Sequence, residues 1–285
     1  MKSKLSIAQF ILATVITLTC LSSTAQPYSN SGDHSVCQFT TEPYGVEFTA
    51  NTTYQWSIIP SGGANGTINA GATGNLITVY WETPGTCELQ LIETNTNSCS
   101  VLVTISITVN PAPVLVITHP EAVCQPSTVD ITAPEITAGS TLPAGTVLTY
   151  WADAEATIAL SNPSAIAISG TYYIKAATTE GCAHIQAVTV IVNPTPAPVI
   201  SGADMVCAGD VQVYSVVLSA GNVYEWMVTG GTIATGQGTG QISVTWTNAG
   251  SGTVSLTETA GECSATASLD VTVNQLPATI TIFHN

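Results

Sequence analysis

Basic side chains are nearly absent from this sequence of 285 residues. It contains three lysines and no arginine against 18 acidic residues, so its formal net charge at pH 7 is −15. Two lysines stand at positions 2 and 4, which leaves Lys175 as the only basic residue of the remaining chain. Nucleic-acid binding is therefore excluded, because phosphate contacts need clustered Lys and Arg. Anionic membrane surfaces should repel the protein for the same reason.

Charged residues of either sign are also scarce, at 7% of the chain, against about 25% in ordinary soluble domains. The acids are spread along the sequence rather than grouped, which argues against an acidic disordered tail. Hydrophobic residues make up 45% of the chain, enough to form packed cores.

Long apolar runs are missing except for one near the N-terminus. Two lysines precede the run from Ile7 to Leu21, and small residues follow it at Ser23–Ala25. This order is typical of a signal peptide over residues 1–25, cleaved after Ala25. The run is short for a membrane span, which needs about 20 apolar residues. We therefore expect a protein that is exported and then secreted or held at the cell surface. Lipid attachment at Cys20 is an alternative that the preceding residues fit poorly.

Patterns for catalysis and metal binding are missing as well. The sequence has no H-x-x-x-H or C-x-x-C spacing and no recognisable Ser–His–Asp motif. Its four histidines do not recur at equivalent positions: His34, His119, His184 and His284. The glycine-rich stretch Gly236–Gln241 has no helical pattern after it, so it predicts a hairpin turn rather than a phosphate loop. We predict no enzyme activity, no cofactor and no catalytic metal.

Calcium at the joins between domains is the one metal worth weighing. Acidic side chains near the joins could supply oxygen ligands, and they are Glu121, Asp130, Asp204 and Asp210. The sequence has no D-x-D-x-D loop. Asp153 and Glu155 are the closest other pair of acids, and we expect them on a solvated loop.

What the sequence does contain is a threefold repeat. Val-Cys recurs at Cys37, Cys124 and Cys207, and a second cysteine follows each after 62, 58 and 56 residues. Each second cysteine, at positions 99, 182 and 263, is followed eleven residues later by an asparagine. Such periodicity indicates tandem units of about 83 residues. The predicted domains are 27–110, 111–193 and 194–277.

Within each unit the hydrophobic period is two. In the segment ITVYW, residues Ile77, Val79 and Trp81 fall on one face, and ISVTW in the third unit repeats this pattern. Short alternating runs separated by turn residues predict antiparallel β-sandwiches of the immunoglobulin type. Tryptophans follow the first cysteine of each unit by 19 to 27 residues, where such sandwiches place a core tryptophan. The fold class is therefore all-β, with tandem sandwiches.

The joins between units are rich in proline. Residues 109–124 and 192–207 both run sixteen residues from Val-Asn-Pro to Val-Cys. Proline favours extended backbone, so we expect semi-rigid spacers and an elongated array of domains. A third copy begins at Val273, and by the same spacing its cysteine would fall three residues beyond Asn285. Residues 278–285 are thus expected to begin a further repeat of a longer parent chain, or to form a tail.

These motifs resemble a known family. The pattern VC…YxW…GxGxxxIxVxW…ETxxxxC…VTVNP in the first and third units resembles the PKD-like repeats of secreted Bacteroidetes proteins, with a longer middle part in the first. The second unit, from TYWADAEATIALSNP to TTEGC, resembles their Ig-like repeats. The resemblance implies stalk-like arrays in surface adhesins and secreted enzymes, often exported by the type IX route. It specifies the fold well and the activity poorly.

Repeat symmetry also suggests a disulfide pattern. Six cysteines allow 15 pairings, and equal treatment of the three units selects Cys37–Cys99, Cys124–Cys182 and Cys207–Cys263. Cys87 has no counterpart in the other units. We therefore predict that it is partly exposed in a turn, as a free thiol or in an intermolecular bridge.

The function expected from the sequence is structural or adhesive. The partners would be other extracellular proteins or surface glycans, and the alternative is a carbohydrate-binding accessory module of a larger secreted enzyme. Sandwich lectins present exposed aromatic rings, whereas most tryptophans here fall on the apolar phase of their strands. Tyr172 and Tyr173 are consecutive in the sequence, so one must face away from the core and could serve as a ligand platform.

Overall fold

A computed structural model describes residues 14–17 and 34–278. Cys20, His284, most of the predicted signal peptide and the tail beyond residue 278 lie outside these residues. The described chain is all-β, as predicted, and its one helical element is a 3₁₀ turn at Pro134–Thr137. No helix among the described residues is long and apolar enough to cross a membrane.

The chain forms two compact units. The first contains the residues up to Thr118 together with Pro134–Leu160 and Tyr172–Val188. The second contains His119–Ala133, Ser161–Thr171 and the residues from Thr189 onward. The segment 111–193, predicted as the middle domain, is divided between them, and the division into three domains stays a prediction.

The first unit is built around an N-terminal sandwich. Its strands are β2 (His34–Cys37), β3 (Thr41–Gly45), β4 (Thr52–Gly62), β5 (Asn65–Ala70), β6 (Leu76–Thr83), β7 (Gly85–Asn95) and β8 (Ser100–Asn110). One sheet has the order β2-β8-β7-β4, with β2 parallel to β8, and the other has the order β3-β6-β5. A short strand, β1 (Thr14–Thr17), pairs antiparallel with β8. It lies in the predicted signal peptide, whose cleavage stays a prediction.

The core of the N-terminal sandwich follows the two-residue period. The side chains of Ile77, Val79 and Trp81 on β6 are at most 3% exposed, as the alternation predicts. On β7 the same alternation buries every second residue from Cys87 to Leu91. Inner residues of both sheets form one hydrophobic cluster, so the two sheets make a packed sandwich.

The second unit contains a C-terminal sandwich of the same topology. Its strands are β14 (Met205–Cys207), β15 (Val211–Ser215), β16 (Val223–Thr229), β17 (Thr232–Thr235), β18 (Gln241–Thr245), β19 (Gly250–Ala260) and β20 (Cys263–Asn274). The sheets have the orders β14-β20-β19-β16 and β15-β18-β17, again with the first strand parallel to the last. Gly236–Gln241 joins β17 to β18, so the prediction of a hairpin turn there is confirmed.

Matched aromatic pairs occupy the two cores. Tyr44 and Trp81 meet edge to face with ring centroids 6.1 Å apart, and Tyr214 and Trp246 do so at 6.2 Å. The polar groups of the two pairs form different hydrogen bonds. The Trp81 indole N–H donates to the Tyr44 hydroxyl at 3.1 Å, whereas the Tyr214 hydroxyl donates to the Ala203 carbonyl at 2.9 Å.

Two tyrosines, Tyr54 and Tyr224, occupy equivalent positions near the start of β4 and of β16. The hydroxyl of Tyr54 accepts a hydrogen bond from the backbone N–H of Thr49, and the hydroxyl of Tyr224 accepts one from Ser219, both at 2.7 Å. Trp56 and Trp226 lie two residues further along their strands, 9% and 3% exposed. The prediction that these tryptophans belong to the cores is confirmed.

One glycine in each sandwich lies beneath the buried tryptophan. A Cβ at Gly66 would lie 2.7 Å from the Tyr80 carbonyl oxygen and 2.8 Å from the ring of Trp81. A Cβ at Gly231 would lie 2.9 Å from the ring of Trp246. No side chain fits at either position, because real Cβ atoms do not approach so closely and the backbone cannot move aside without cost.

The segment between the sandwiches carries shorter strands. They are β9 (Val123–Cys124), β10 (Val147–Trp151), β11 (Gly170–Ala177), β12 (Ala183–Val190) and β13 (Val192–Asn193). β10, β11 and β12 form an antiparallel sheet in that order, and β9 pairs in parallel with β13.

Candidate functional site: the repeat cysteines

The first cysteines of the three repeats occupy one structural position. Cys37 pairs with Asn110, Cys124 with Asn193 and Cys207 with Asn274, each in a parallel register. The backbone N–H of the residue after each cysteine donates to the carbonyl of that asparagine, at 2.8–2.9 Å. A turn follows each time, in which the cysteine carbonyl accepts a backbone N–H from three residues further on.

The second cysteines share a different position, which is the turn of a hairpin. Cys99 lies between β7 and β8, Cys182 between β11 and β12, and Cys263 at the start of β20 after the turn from β19. We call these three the hairpin cysteines. Cys182 and Cys263 are each 1% exposed.

The disulfides connect these positions with an offset of one repeat. Cys37 is bonded to Cys182 and Cys124 to Cys263, with Cα–Cα distances of 5.5 and 5.6 Å. Each lies within one compact unit. The predicted pairings Cys37–Cys99, Cys124–Cys182 and Cys207–Cys263 are therefore wrong. Cys99 is also disulfide-bonded.

Strand length explains why the pairing inside a repeat fails. Cys37 lies beside Asn110 at the end of β8, whereas Cys99 immediately precedes the start of the same eleven-residue strand. At about 3.3 Å per residue, the two cysteines are about 35 Å apart. A disulfide needs Cα atoms within about 7 Å of each other. β20 separates Cys207 from Cys263 in the same way.

Two cysteines of the described part of the chain carry free thiols, and they differ in exposure. Cys207 is exposed at the end of β14. Cys87 is fully buried in the N-terminal core, so the prediction of partial exposure is wrong. The reason is that β7 already begins at Gly85, and its alternation turns Cys87 inward with Leu89. Burial raises the pKa of the Cys87 thiol to about 11, with a smaller contribution from the charge of Glu88.

Two of the acids considered for calcium, Asp130 and Asp210, form hydrogen bonds with residues close to them in the sequence. A carboxylate oxygen of Asp130 accepts hydrogen bonds from the backbone N–H and hydroxyl of Thr132, at 2.7 and 2.6 Å. Asp210 accepts from the backbone N–H of Cys207 at 2.9 Å. Within residues 34–278, no three His, Cys, Asp or Glu side chains are grouped as metal ligands. The structure therefore does not bring Glu121, Asp130, Asp204 and Asp210 together.

The described histidines in the middle segment hold backbone groups. Nδ1 of His184 accepts from the N–H of Leu115 at 2.9 Å, and Nδ1 of His119 accepts from the N–H of Thr189 at 3.1 Å. Each contact fixes a join residue to a strand of the same unit. These ring nitrogens are positioned for structure, since an acceptor occupied by a backbone N–H is not available as a general base.

Asp153 lies on a loop, as predicted, and closes it. Its carboxylate accepts from the hydroxyl and backbone N–H of Thr157 and from the N–H of Ile158, at 2.7–3.1 Å. The Thr157 hydroxyl, and then the two N–H groups, lower the pKa of the Asp153 carboxyl below its usual value.

Few aromatic rings of the described residues are exposed enough to form a sugar-binding platform. Tyr172 and Tyr173 are both half-buried on β11 rather than one being fully exposed. Trp151 is half-buried, with its indole N–H donating to the Thr149 hydroxyl at 2.9 Å. The other four tryptophans lie in the two cores. The exposed large rings among the described residues are those of Phe39 and Phe48.

Comparison with protein families identifies one segment. Residues 193–273 match the model of a PKD-like domain. This range holds all of β14–β19 and nearly all of β20, so the C-terminal sandwich is PKD-like, and the N-terminal sandwich shares its topology. A comparison with curated protein sequences finds no match.

Similar solved structures include tandem extracellular domains. Extracellular domains 3–5 of Drosophila OTK are 10% identical with a TM-score of 0.33, covering 85% of this chain and 94% of that one. The N-terminal eight Ig domains of DSCAM are 8% identical with a TM-score of 0.41, covering 93% and 37%. SGBP-B of the Bacteroides ovatus mixed-linkage glucan utilization locus, in complex with a mixed-linkage heptasaccharide, is 15% identical with a TM-score of 0.24, covering 92% and 70%. Likenesses this weak carry no functional argument.

Proposed function

We propose that this chain is an extracellular structural or adhesive segment, a stalk or spacer of a secreted or surface protein, without catalysis of its own. In this proposal residues 1–25 direct export, and the parent protein is an adhesin-type surface protein of the kind that the PKD-like repeats resemble. Its partners are other extracellular proteins or surface glycans. The observation that carries the proposal is the offset of the two disulfides.

The offset makes the two disulfide loops overlap in sequence. The loop closed by Cys37–Cys182 spans 145 residues and the loop closed by Cys124–Cys263 spans 139. Both contain the 58 residues from Cys124 to Cys182. A pull between Cys37 and Cys263 therefore passes through one disulfide, back along this shared segment, and out through the other.

The consequence is a limit on mechanical extension. Even when every strand has unfolded, the covalent path between Cys37 and Cys263 through these two disulfides is 58 residues, about 200 Å at full extension. Without disulfides it would be 226 residues, about 770 Å. A tether that must not lengthen under tension gains from this arrangement.

Single-molecule pulling tests the proposal. The chain is held by handles outside Cys37 and Cys263 and stretched, first oxidised and then in dithiothreitol. We expect the end-to-end distance between these cysteines to stay within about 200 Å when oxidised and to approach about 770 Å when reduced. Equal lengths in the two conditions would contradict the mechanical role.

A glycan array separates this role from the alternative of a carbohydrate-binding accessory module. We expect no binding, because the tryptophans are not exposed and Tyr172 and Tyr173 are half-buried. A reproducible sugar ligand whose affinity falls more than tenfold in Tyr173→Ala, with unchanged circular dichroism, would favour the accessory module instead.

A further inference from the structure

Cys207 stands where two other cysteines of this chain form disulfides. Its register with Asn274 and the turn that follows it are the same as those of Cys37 and Cys124. The backbone hydrogen bonds around Cys207 match those around the other two cysteines: the N–H of Ala208 donates to the Asn274 carbonyl, and the N–H of Asp210 donates to the Cys207 carbonyl. Cys37 and Cys124 are half-buried and bonded, whereas Cys207 is exposed and free.

The two existing bonds also indicate which kind of cysteine would pair with Cys207. The first cysteine of repeat one is bonded to the hairpin cysteine of repeat two, and the first cysteine of repeat two to that of repeat three. The separations are nearly equal, at 145 and 139 residues. In both bonds the partner lies at the turn of a β-hairpin: Cys182 lies between the two strands, and Cys263 is the first residue of the second strand.

We infer that Cys207 is the attachment point for the hairpin cysteine of a further repeat of the same kind. The C-terminal sandwich then bonds to the repeat that follows it, just as the two earlier repeats bond to theirs. This inference goes beyond the proposed mechanical role, because it concerns which cysteines pair and holds whether or not the chain carries tension. It names a covalent interaction site and the class of partner: a PKD-like or Ig-like hairpin with one cysteine in its turn.

The bond forms by thiol–disulfide exchange with a small disulfide as the oxidant. The Cys207 thiolate attacks glutathione disulfide and releases one glutathione, and the hairpin thiolate then attacks the mixed disulfide and releases the second. The two protein thiols lose two electrons and two protons, and the oxidant becomes two glutathione molecules.

An extended chain tests the inference. Residues 275–285 are replaced by a second copy of residues 194–285, so that Val273-Asn274 is followed by the same Pro-rich join as Val192-Asn193. The copy carries Cys207→Ser, which leaves its hairpin cysteine as the only new thiol. It also carries Glu262→Asp, at an exposed position, as a mass label for that hairpin. The matched control additionally carries Cys263→Ser in the copy.

Refolding in a glutathione redox buffer is followed by maleimide labelling without denaturant. We expect Cys207 to be labelled in the original protein and in the control, and to be unlabelled in the extended chain. Digestion with Glu-C and chymotrypsin suits a chain with so few basic residues, and it should yield the Cys207 peptide linked to the mass-labelled hairpin. Protease resistance of the copy in the control shows that the added repeat folds without the bond.

Two results would overturn the inference. One is a Cys207 thiol that remains fully labelled in the extended chain although the control shows a folded copy. The other is a bond from Cys207 to a different cysteine, including a dimer of the extended chain linked through Cys207 of two molecules.

Discussion

Replacing Cys182 by serine distinguishes the offset disulfides from bonds inside each repeat. In the structure Cys182 is the partner of Cys37, so Cys182→Ser should create one new thiol at Cys37 and leave Cys124–Cys263 intact. If each repeat held its own bond, the new thiol would instead be Cys124. The two connectivities therefore predict different residues for the same substitution.

The loss of stability follows from the length of the loop. A bridge that closes 145 residues restricts the unfolded chain by about 5 kcal/mol in the chain-entropy model, as an upper figure. Cys207→Ser is the matched control, because it removes an exposed free thiol and should change the free energy of unfolding by less than about 0.5 kcal/mol.

The assay combines alkylation mapping with urea denaturation. Thiols are alkylated in the unreduced, denatured protein, and the modified peptides are identified by mass spectrometry. The reasoning is refuted if Cys182→Ser exposes Cys124 or Cys99 rather than Cys37, or if the urea midpoint of Cys182→Ser equals that of Cys207→Ser.

Three further predictions concern the N-terminal core. Tyr44→Phe removes the acceptor of the Trp81 indole N–H and should lower the free energy of unfolding by about 1–3 kcal/mol, as measured in urea; an unchanged midpoint would contradict the hydrogen bond. Gly66→Ala forces a Cβ against the Trp81 ring and the backbone and should cost about 1–3 kcal/mol, whereas alanine at the exposed turn residue Gly63 meets no atom within 4 Å and is strained only by its positive φ. Finally, the Cys87 thiol should stay unlabelled at pH 8 until the protein unfolds. Its raised pKa of about 11 keeps it protonated in the folded state, while the unfolded thiol ionises near 9. Stability should therefore fall as the pH rises from 9 to 11, and this part of the slope should vanish in Cys87→Ala; native labelling at pH 8 would refute the burial.

The two-residue period predicted the strands because one face of each sheet is buried. The alternation of Ile, Val and Trp correctly predicted which face of β6 and of β18 is buried. The role of Gly66 was not predicted, since a glycine in a strand has no hydrophobic phase and its neighbour Trp81 is fifteen residues away in sequence. A signal existed only in the comparison of repeats, where Gly-Thr-Ile recurs at Gly231.

The disulfides show what repeat symmetry can and cannot determine. Three equivalent units predict that equivalent cysteines have equivalent partners, and the structure obeys this for Cys37 and Cys124. Symmetry does not say whether the partner lies in the same repeat or in the next. The constant eleven residues between each hairpin cysteine and its asparagine could have decided it. They mark a full strand in both sandwiches, and such a strand holds the two cysteines of one repeat about 35 Å apart.

The position of Cys87 explains how the fold tolerates an unpaired cysteine. Its counterpart in the C-terminal sandwich is Gly252, since Cys87 pairs with Ile107 on β8 as Gly252 pairs with Val271 on β20. A Cβ at Gly252 would lie 2.3 Å from the ring of Trp246, so the C-terminal core has no room for a side chain there. The N-terminal core encloses one completely, in a cluster that also contains Trp81. A buried free cysteine behaves as a small hydrophobic residue, and its raised pKa keeps it from reacting as a thiolate. Cys87 is thus a packing residue, and of the two free thiols in residues 34–278 the one accessible for bonding is the exposed Cys207.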